Sequence, residues 1–162
     1  MINTKLKVSV IIENNSKIFL IKERLAHDAR YGWNLPGGTW EKTDGPLAYG
    51  AIREAKEESG LTVSLKGFYQ AALVDLETRI KLQIFFVGET ASTDYRLMEK
   101  SAQETLNEDI IEGRWFTRDE LVALPENDFV ASTVARVLKT YLVNPTIYSL
   151  ETLPYFDQET RY

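Results

Sequence analysis

The segment LKVSVIIENNSKIFLIKE, residues 6–23, places runs and alternations of β-branched and aliphatic residues on either side of Asn14-Asn15-Ser16. Short polar side chains of that kind favour turns, so the segment reads as a β-hairpin and commits the fold to strands from its start. WNLPGG then reads as a short strand stopped by Pro36 and two glycines. A helix should begin near Gly45-Pro46, where proline suits a first turn, and end at Gly60, a favoured C-terminal cap. Two longer strands are expected at about 61–76 and 80–89, with Glu77-Thr78-Arg79 at the bend. ASTDYRLMEKSAQETLNED reads as a long loop, IIEGRWF as a strand, and Thr117 as the cap of a short helix RDELVAL. FVASTVARVLKTYL fits an amphipathic helix. Strands first, with helices inserted, predict an α+β fold or a mixed α/β/α sandwich.

At 162 residues and 44% hydrophobic content the chain suits one domain with its own core. We expect that domain over residues 1–143, with residues 144–162 as an aromatic arm packed on it or on a partner subunit. No apolar run suggests a membrane span, and MINTKLKVSV lacks the apolar core of a secretion signal, so the expected location is the cytoplasm and no membrane partner is expected. The absence of cysteine removes disulfides, thiolate metal sites and cysteine nucleophiles. His27 is the single histidine, has no motif around it and reads as a surface residue. Acid-base and metal chemistry therefore falls to carboxylates. With a net charge of -5 and no basic stripe, binding to a nucleic acid backbone has little electrostatic support.

The carboxylates gather at one place. On a helical wheel over residues 46–59, Ala48, Ala51, Ile52, Ala55 and Ser59 share a narrow face of small groups suited to lying on a sheet. Glu54, Glu57 and Glu58 share a second face, with Glu58 at the apolar edge. Like-charged pairs at three and four residues cost about 0.2–0.5 kcal/mol each, and Arg53 relieves part of this by pairing with Glu57. The remainder calls for a cation. Oxygen-only clusters suit Mg²⁺ or Mn²⁺, which commonly share oxygens with a substrate phosphate. Gly37 and Gly38 add backbone that a ligand can approach closely, with carbonyls for a metal and amides for a phosphate. A Glu-rich stripe alone is most often a solvated face; the order of glycine pair, loop, Arg-Glu and Glu-Glu is what selects a site.

Gly38, Asp44 and Arg53-Glu54-Ala55-x-Glu57-Glu58-x-Gly60-Leu61 resemble the Nudix box, G-x5-E-x7-R-E-U-x-E-E-x-G-U with U a bulky aliphatic residue. WNLPGG and RWFTRDEL resemble the family's flanking segments, and the resemblance covers roughly residues 5–143. The loop departs from the pattern: Asp44 stands in place of Glu, and eight residues rather than seven precede Arg53. Either a residue is inserted after Asp44, or the insertion lies earlier and Gly45 takes the slot.

The resemblance implies a Nudix-type α/β/α sandwich with a mixed sheet and a catalytic loop-helix-loop at residues 37–61. It implies Mg²⁺-dependent hydrolysis of a nucleoside diphosphate derivative or other organic diphosphate, with Glu54, Glu57, Glu58 and the carbonyl of Gly37 as metal ligands. Arg53 would orient the carboxylates and, with Glu54 and Glu57, belong to the catalytic set. The general base is expected from Glu104, Glu108, Asp109 or Glu112, with Glu108 and Asp109 favoured. Candidate substrate contacts are Arg24, Arg30, Lys22 and Lys81 for phosphate, Gly38 through its backbone, and Trp33, Trp40, Tyr69 or Phe86 for stacking a base. The family's ADP-ribose signature is missing, since no proline lies between Pro46 and Pro125. The last part resembles the branch acting on nucleotides and thiamine-type diphosphates. A catalytically inactive nucleotide-binding or regulatory module is the alternative; intact Glu54, Glu57 and Glu58 argue against it. The isomerase branch resembles chemistry that uses a cysteine, and none is present. Exposed β-edges and the aromatic arm fit a homodimer.

Overall fold

The expected hairpin forms as β1 (Asn3–Asn14) and β2 (Lys17–Arg24), with Asn15 and Ser16 at the turn in the left-handed region at φ 47° and 62°. The computed structural model describes residues 3–25 and 28–157, so His27 lies outside the described residues. β1 and β2 pair only near the turn, from Ile12 opposite Phe19 to Asn14 opposite Lys17, and diverge beyond it. Two short strands fill the gap. β3 (Tyr31–Asn34) pairs with β2, and β4 (Gly37–Thr39) pairs with β1. The short strand expected before Pro36 is β3, which ends at Asn34, while the glycine pair expected only to stop it begins a strand of its own, β4. Pro36 has no N–H to give a ladder, and its carbonyl accepts from the Val10 amide at 2.9 Å.

Further strands extend the sheet on both sides. β5 (Ser64–Leu76) is antiparallel to β6 (Arg79–Glu89), β6 is parallel to β1, and β7 (Ile110–Thr117) is antiparallel to β2. The result is a mixed sheet of seven strands.

The apolar pattern of β1 and β2 explains the layering. Val8, Val10, Ile12, Phe19 and Ile21 face one way, onto Ala51 and Ala55 of helix α1 (Leu47–Ser59). Ile11, Ile18 and Leu20 face the other way, into a core that includes Leu121 of α3 (Arg118–Ala123) and Leu138 of α4 (Ser132–Val143). A sheet apolar on both faces needs cover on both, since each large side chain left exposed would forfeit about 1.5–3 kcal/mol. The fold is thus the α/β/α sandwich anticipated.

Two local expectations change. The stretch read as a long loop contains helix α2 (Lys100–Leu106), held by one buried polar residue. Gln103 donates to the carbonyls of Met98 and Ile110 and accepts from the Ile110 amide at 2.6 Å, tying α2 to β7. Helix α4 begins at Ser132 rather than Phe129, because Phe129 bridges Trp33 and the Val130 amide donates to the Trp33 carbonyl at 3.0 Å. Beyond α4, Tyr148 and Phe68 exchange both backbone hydrogen bonds, and Leu150 and Leu153, partly buried, pack against the cluster that holds Ala51 and Ala55 of α1. Among the described residues, no helix is long and apolar enough to cross a membrane.

Candidate functional site

Helix α1 has Pro46 at its N-cap and Gly60 at its C-cap, as the punctuation predicts. Its buried face is rotated from the expected one. Glu54 and Glu58 are buried beside Ala51, Ala55 and Ser59, while Ile52 is only half-buried. The wheel separated small residues from carboxylates; the helix buries both, because the acids are received by polar groups of β4 and neighbouring segments.

Arg53 organises the entrance. Its Nε donates to Asp44 Oδ1 at 2.7 Å and a terminal nitrogen to Asp44 Oδ2 at 2.9 Å, while further donors reach the Thr39 carbonyl and Glu57. This fork settles the ambiguity in the loop: Asp44 meets Arg53, and the extra residue follows it at Gly45, where φ is +68° and a side chain would be strained. The guanidinium holds the Asp44 carboxyl below its ordinary value. Asp44 therefore stabilises the fold fully above its unfolded pKa of about 3.9, and this contribution fades as pH falls through the lower folded value. Asp44→Ala should lower stability by about 1–3 kcal/mol, and adding Arg53→Ala should cost little more. Fully additive losses in thermal unfolding would show that the two do not act as a unit.

Behind this brace, carboxylate oxygens of Glu54, Glu58 and Glu108 all lie within 4.8 Å of one another. The Gly37 amide donates to Glu58 Oε2 at 2.7 Å. The Glu54 carboxylate lies against Gly38, where any Cβ would overlap it. Burial raises the Glu54, Glu58 and Glu108 carboxyls above their ordinary values, Glu58 most strongly. The charge of Glu23, itself raised by burial and held by Asn34 at 2.7 Å, pushes Glu58 and Glu108 the same way. Glu108 Oε2 is buried without a hydrogen-bond partner. Such crowding of buried acids is unfavourable unless a cation joins them. The donors are all oxygen, which matches a hard divalent ion.

The other expected residues are distributed more widely. Glu57 is half exposed and turns its carboxylate to Arg53 at 3.1 Å, leaving Glu108 as the third acid of the close cluster. The hydroxyl of Tyr31 donates to Asp109 at 2.7 Å. Glu104 and Glu112 are exposed. Strand alternation would put Glu112 on the face of Ile110, but a shift of register opposite Lys22 and Glu23 breaks it, and Ile110 is buried while Glu112 is exposed. Arg24 lines the cleft, whereas Arg30 is exposed and ion-paired with Asp28. Trp33 is core: it packs edge-on against Phe116 at 4.7 Å and is 6% exposed, which removes it as a stacking surface. Tyr69 and Phe86 are buried as well, and Trp40 donates its indole N–H to the Gly45 carbonyl.

Glu58 and Glu108 open onto a cleft of about 1740 Å³. Its lining includes Glu23, Glu58 and Glu108 at one part and Lys5, Lys7, Arg79 and Lys81 at another. Gln83 escaped the sequence reading because it is a lone polar residue within an ordinary strand pattern, Glu23 because it sits in the charged run Lys22-Glu23-Arg24, and Gln103 because it lies among polar residues of a stretch that reads as a loop.

A mixed sheet between helices, with an Arg-braced acidic helix entered from a glycine pair, defines a known class of domain. The chain belongs to the NUDIX family, whose domain model matches residues 3–137. Among solved structures it is similar to a NUDIX hydrolase from Nitrosomonas europaea, at 21% identity and TM-score 0.78, covering 97% of this chain and 100% of that one. It is also similar to a NUDIX hydrolase crystal structure from the same organism, at 26% identity and TM-score 0.70, covering 88% and 72% of the two chains. A third similar fold is the MutT protein from Methanosarcina mazei Go1, at 18% identity and TM-score 0.70, covering 90% and 97%. Comparison with curated proteins gives no match.

Proposed function

We propose that this chain hydrolyses the diphosphate linkage of a nucleotide or related small organic diphosphate with the help of Mg²⁺. The observation that carries the reading is the cluster of buried Glu54 and Glu58 with half-buried Glu108 beside Gly37 and Gly38. Glu54 and Glu58 would hold the ion, and the family pattern adds Glu57 and the carbonyl of Gly37. When bound, Mg²⁺ neutralises diphosphate oxygens and polarises the phosphorus for attack by water.

The remaining work falls to the chain. Arg53 fixes the loop through Asp44 and keeps the Glu54 and Glu57 carboxylates in place from the solvent side. Glu108 is the acceptor for the proton of the attacking water: it is the least buried acid of the cluster, and one of its oxygens has no partner in the protein. Asp109 is the weaker choice, because its carboxylate already accepts from Tyr31. An inactive binding module would not need an acceptor kept unpaired among buried acids.

The test is release of phosphate or monophosphate from nucleotide sugars, nucleoside triphosphates, dinucleoside polyphosphates, ADP-ribose and thiamine diphosphate, with Mg²⁺ and with chelator. Metal-dependent turnover of at least one compound is expected. Tight binding of these compounds without turnover of any would replace the hydrolase with a binding module.

A further inference from the structure

The sheet face that forms the cleft floor changes character along its length. Ile11 and Val87, directly opposite each other, lie in the core cluster shared with α4; on the next rung toward the open end Ser9 stands opposite Phe85, and on the one after Lys7 stands opposite Gln83. Ser9 accepts from Gln83 at 3.0 Å, yet Gln83 Oε1 is buried without a partner. Beyond them come Lys5, directly opposite Lys81, and then Arg79. Lys5, Lys7, Arg79 and Lys81 share this face because residues two apart on a strand point the same way.

Four cations on adjacent rungs repel one another, and cross-strand like charges are destabilising. The three lysines are half-buried. In a chain with five excess negative charges, acids to neutralise them are abundant. Yet among the described residues none of the four forms an ion pair. Each raises the cost of charging its neighbours, and Lys5 and Lys81 are both lowered from their ordinary values, Lys5 chiefly by Lys7 and Lys81 chiefly by burial. Lysines on exposed strand edges guard against aggregation, but β6 lies between β1 and β5, so Lys81 and Arg79 have no such duty. The field of Lys7 reaches Glu23 and Glu108, which places it between the acids and the other cations. Along β1, Lys5 stands four residues from Ser9, the partner of Gly37, or about 13 Å of strand.

We propose that Lys5, Lys7, Arg79 and Lys81 form a subsite for a further phosphate of the substrate, beyond the diphosphate at the carboxylates. This rests on the hydrolase reading above and narrows it to substrates with at least three phosphoryl groups. The third belongs either to a polyphosphate tail or to a phosphate on the far moiety.

The first measurement is calorimetric binding of inorganic tripolyphosphate in chelator, where no metal contributes. The natural protein should bind it, and Lys5→Gln/Lys81→Gln should weaken binding roughly ten- to hundredfold, the size of charge-assisted hydrogen bonds. The second is kcat/KM with Mg²⁺ on a nucleoside triphosphate and on a 3′-phosphorylated nucleoside diphosphate derivative, each relative to its analogue lacking the extra phosphate. In the double variant one of these ratios should fall about tenfold or more, and the one that falls tells tail from far moiety. Unchanged tripolyphosphate binding, or unchanged ratios in both arms, overturns the subsite. Loss of tripolyphosphate binding in the variant, with no turnover by the natural protein of these or of any compound in the panel above, supports the subsite and overturns the hydrolase.

Discussion

Glu58→Gln should leave a protein that is more stable without metal and nearly inactive with it. Glu58 is 1% exposed, and its carboxyl is pushed well above the usual range by burial and by the charge of Glu23. Glutamine keeps an acceptor for the Gly37 amide and offers donors to the surrounding acids, so the replacement removes repulsion without leaving a hole. A raised folded pKa means that the native state holds the proton more tightly than the unfolded chain, whose glutamates titrate near pH 4.3. Stability of the metal-free protein therefore falls as pH rises from about that value through the folded pKa. The variant lacks this loss, so its advantage widens with pH. Near neutrality the gain should be about 1–3 kcal/mol, or roughly 2–4 °C in Tm for each kcal/mol. Mg²⁺ should raise the Tm of the natural protein and barely move that of the variant. Turnover should fall on the order of a hundredfold or more, since the lost ligand serves charge that develops during reaction. Natural turnover in Glu58→Gln would remove Glu58 from the site; an unaltered Tm across the pH range would show that its carboxylate is not strained.

Alanine at the glycine pair should separate fold from function. At Gly37 a Cβ would overlap the Val8 carbonyl and sit 2.6 Å from Ser9 Cα, both backbone of the central strand. Backbone cannot step aside, so Gly37→Ala should cost about 3 kcal/mol and depress Tm accordingly. At Gly38 the Cβ would overlap only the Glu54 carboxylate, the free end of a side chain that can swing away. Gly38→Ala should thus keep most stability while turnover drops roughly tenfold to a hundredfold through displacement of that carboxylate. Equal destabilisation by both, or full activity in Gly38→Ala, would contradict the placement of Glu54.

Much of the site was readable because its signals are local. Pro46, Gly60 and the spacing of Glu54, Glu57 and Glu58 sit on one helix, and periodicity plus caps suffices to delimit such a segment, though not to show that Glu54 and Glu58 lie on its buried face. Asp44 was readable only as one of two registers, since nothing in a sequence says which residue of a loop reaches an arginine. Trp33 shows the opposite limit: an aromatic on a strand fits a core and a stacking platform equally, until Phe116 is seen against it.

The sequence by itself determined the strands-first pattern, the acidic helix and the motif whose resemblance implied the sandwich and the family, because hydrophobic period, caps and motif order act over a few residues. Tertiary structure alone decided that Glu108 rather than Glu57 completes the close acid cluster. That choice depends on Gln103 bonding α2 to β7 and on Arg53 drawing Glu57 outward. It also decided that lysines on β1 and β6, more than seventy positions apart in the chain, become neighbours on one cleft floor. Strand pairing at that separation is fixed by the packing of the whole sheet, which no local pattern encodes.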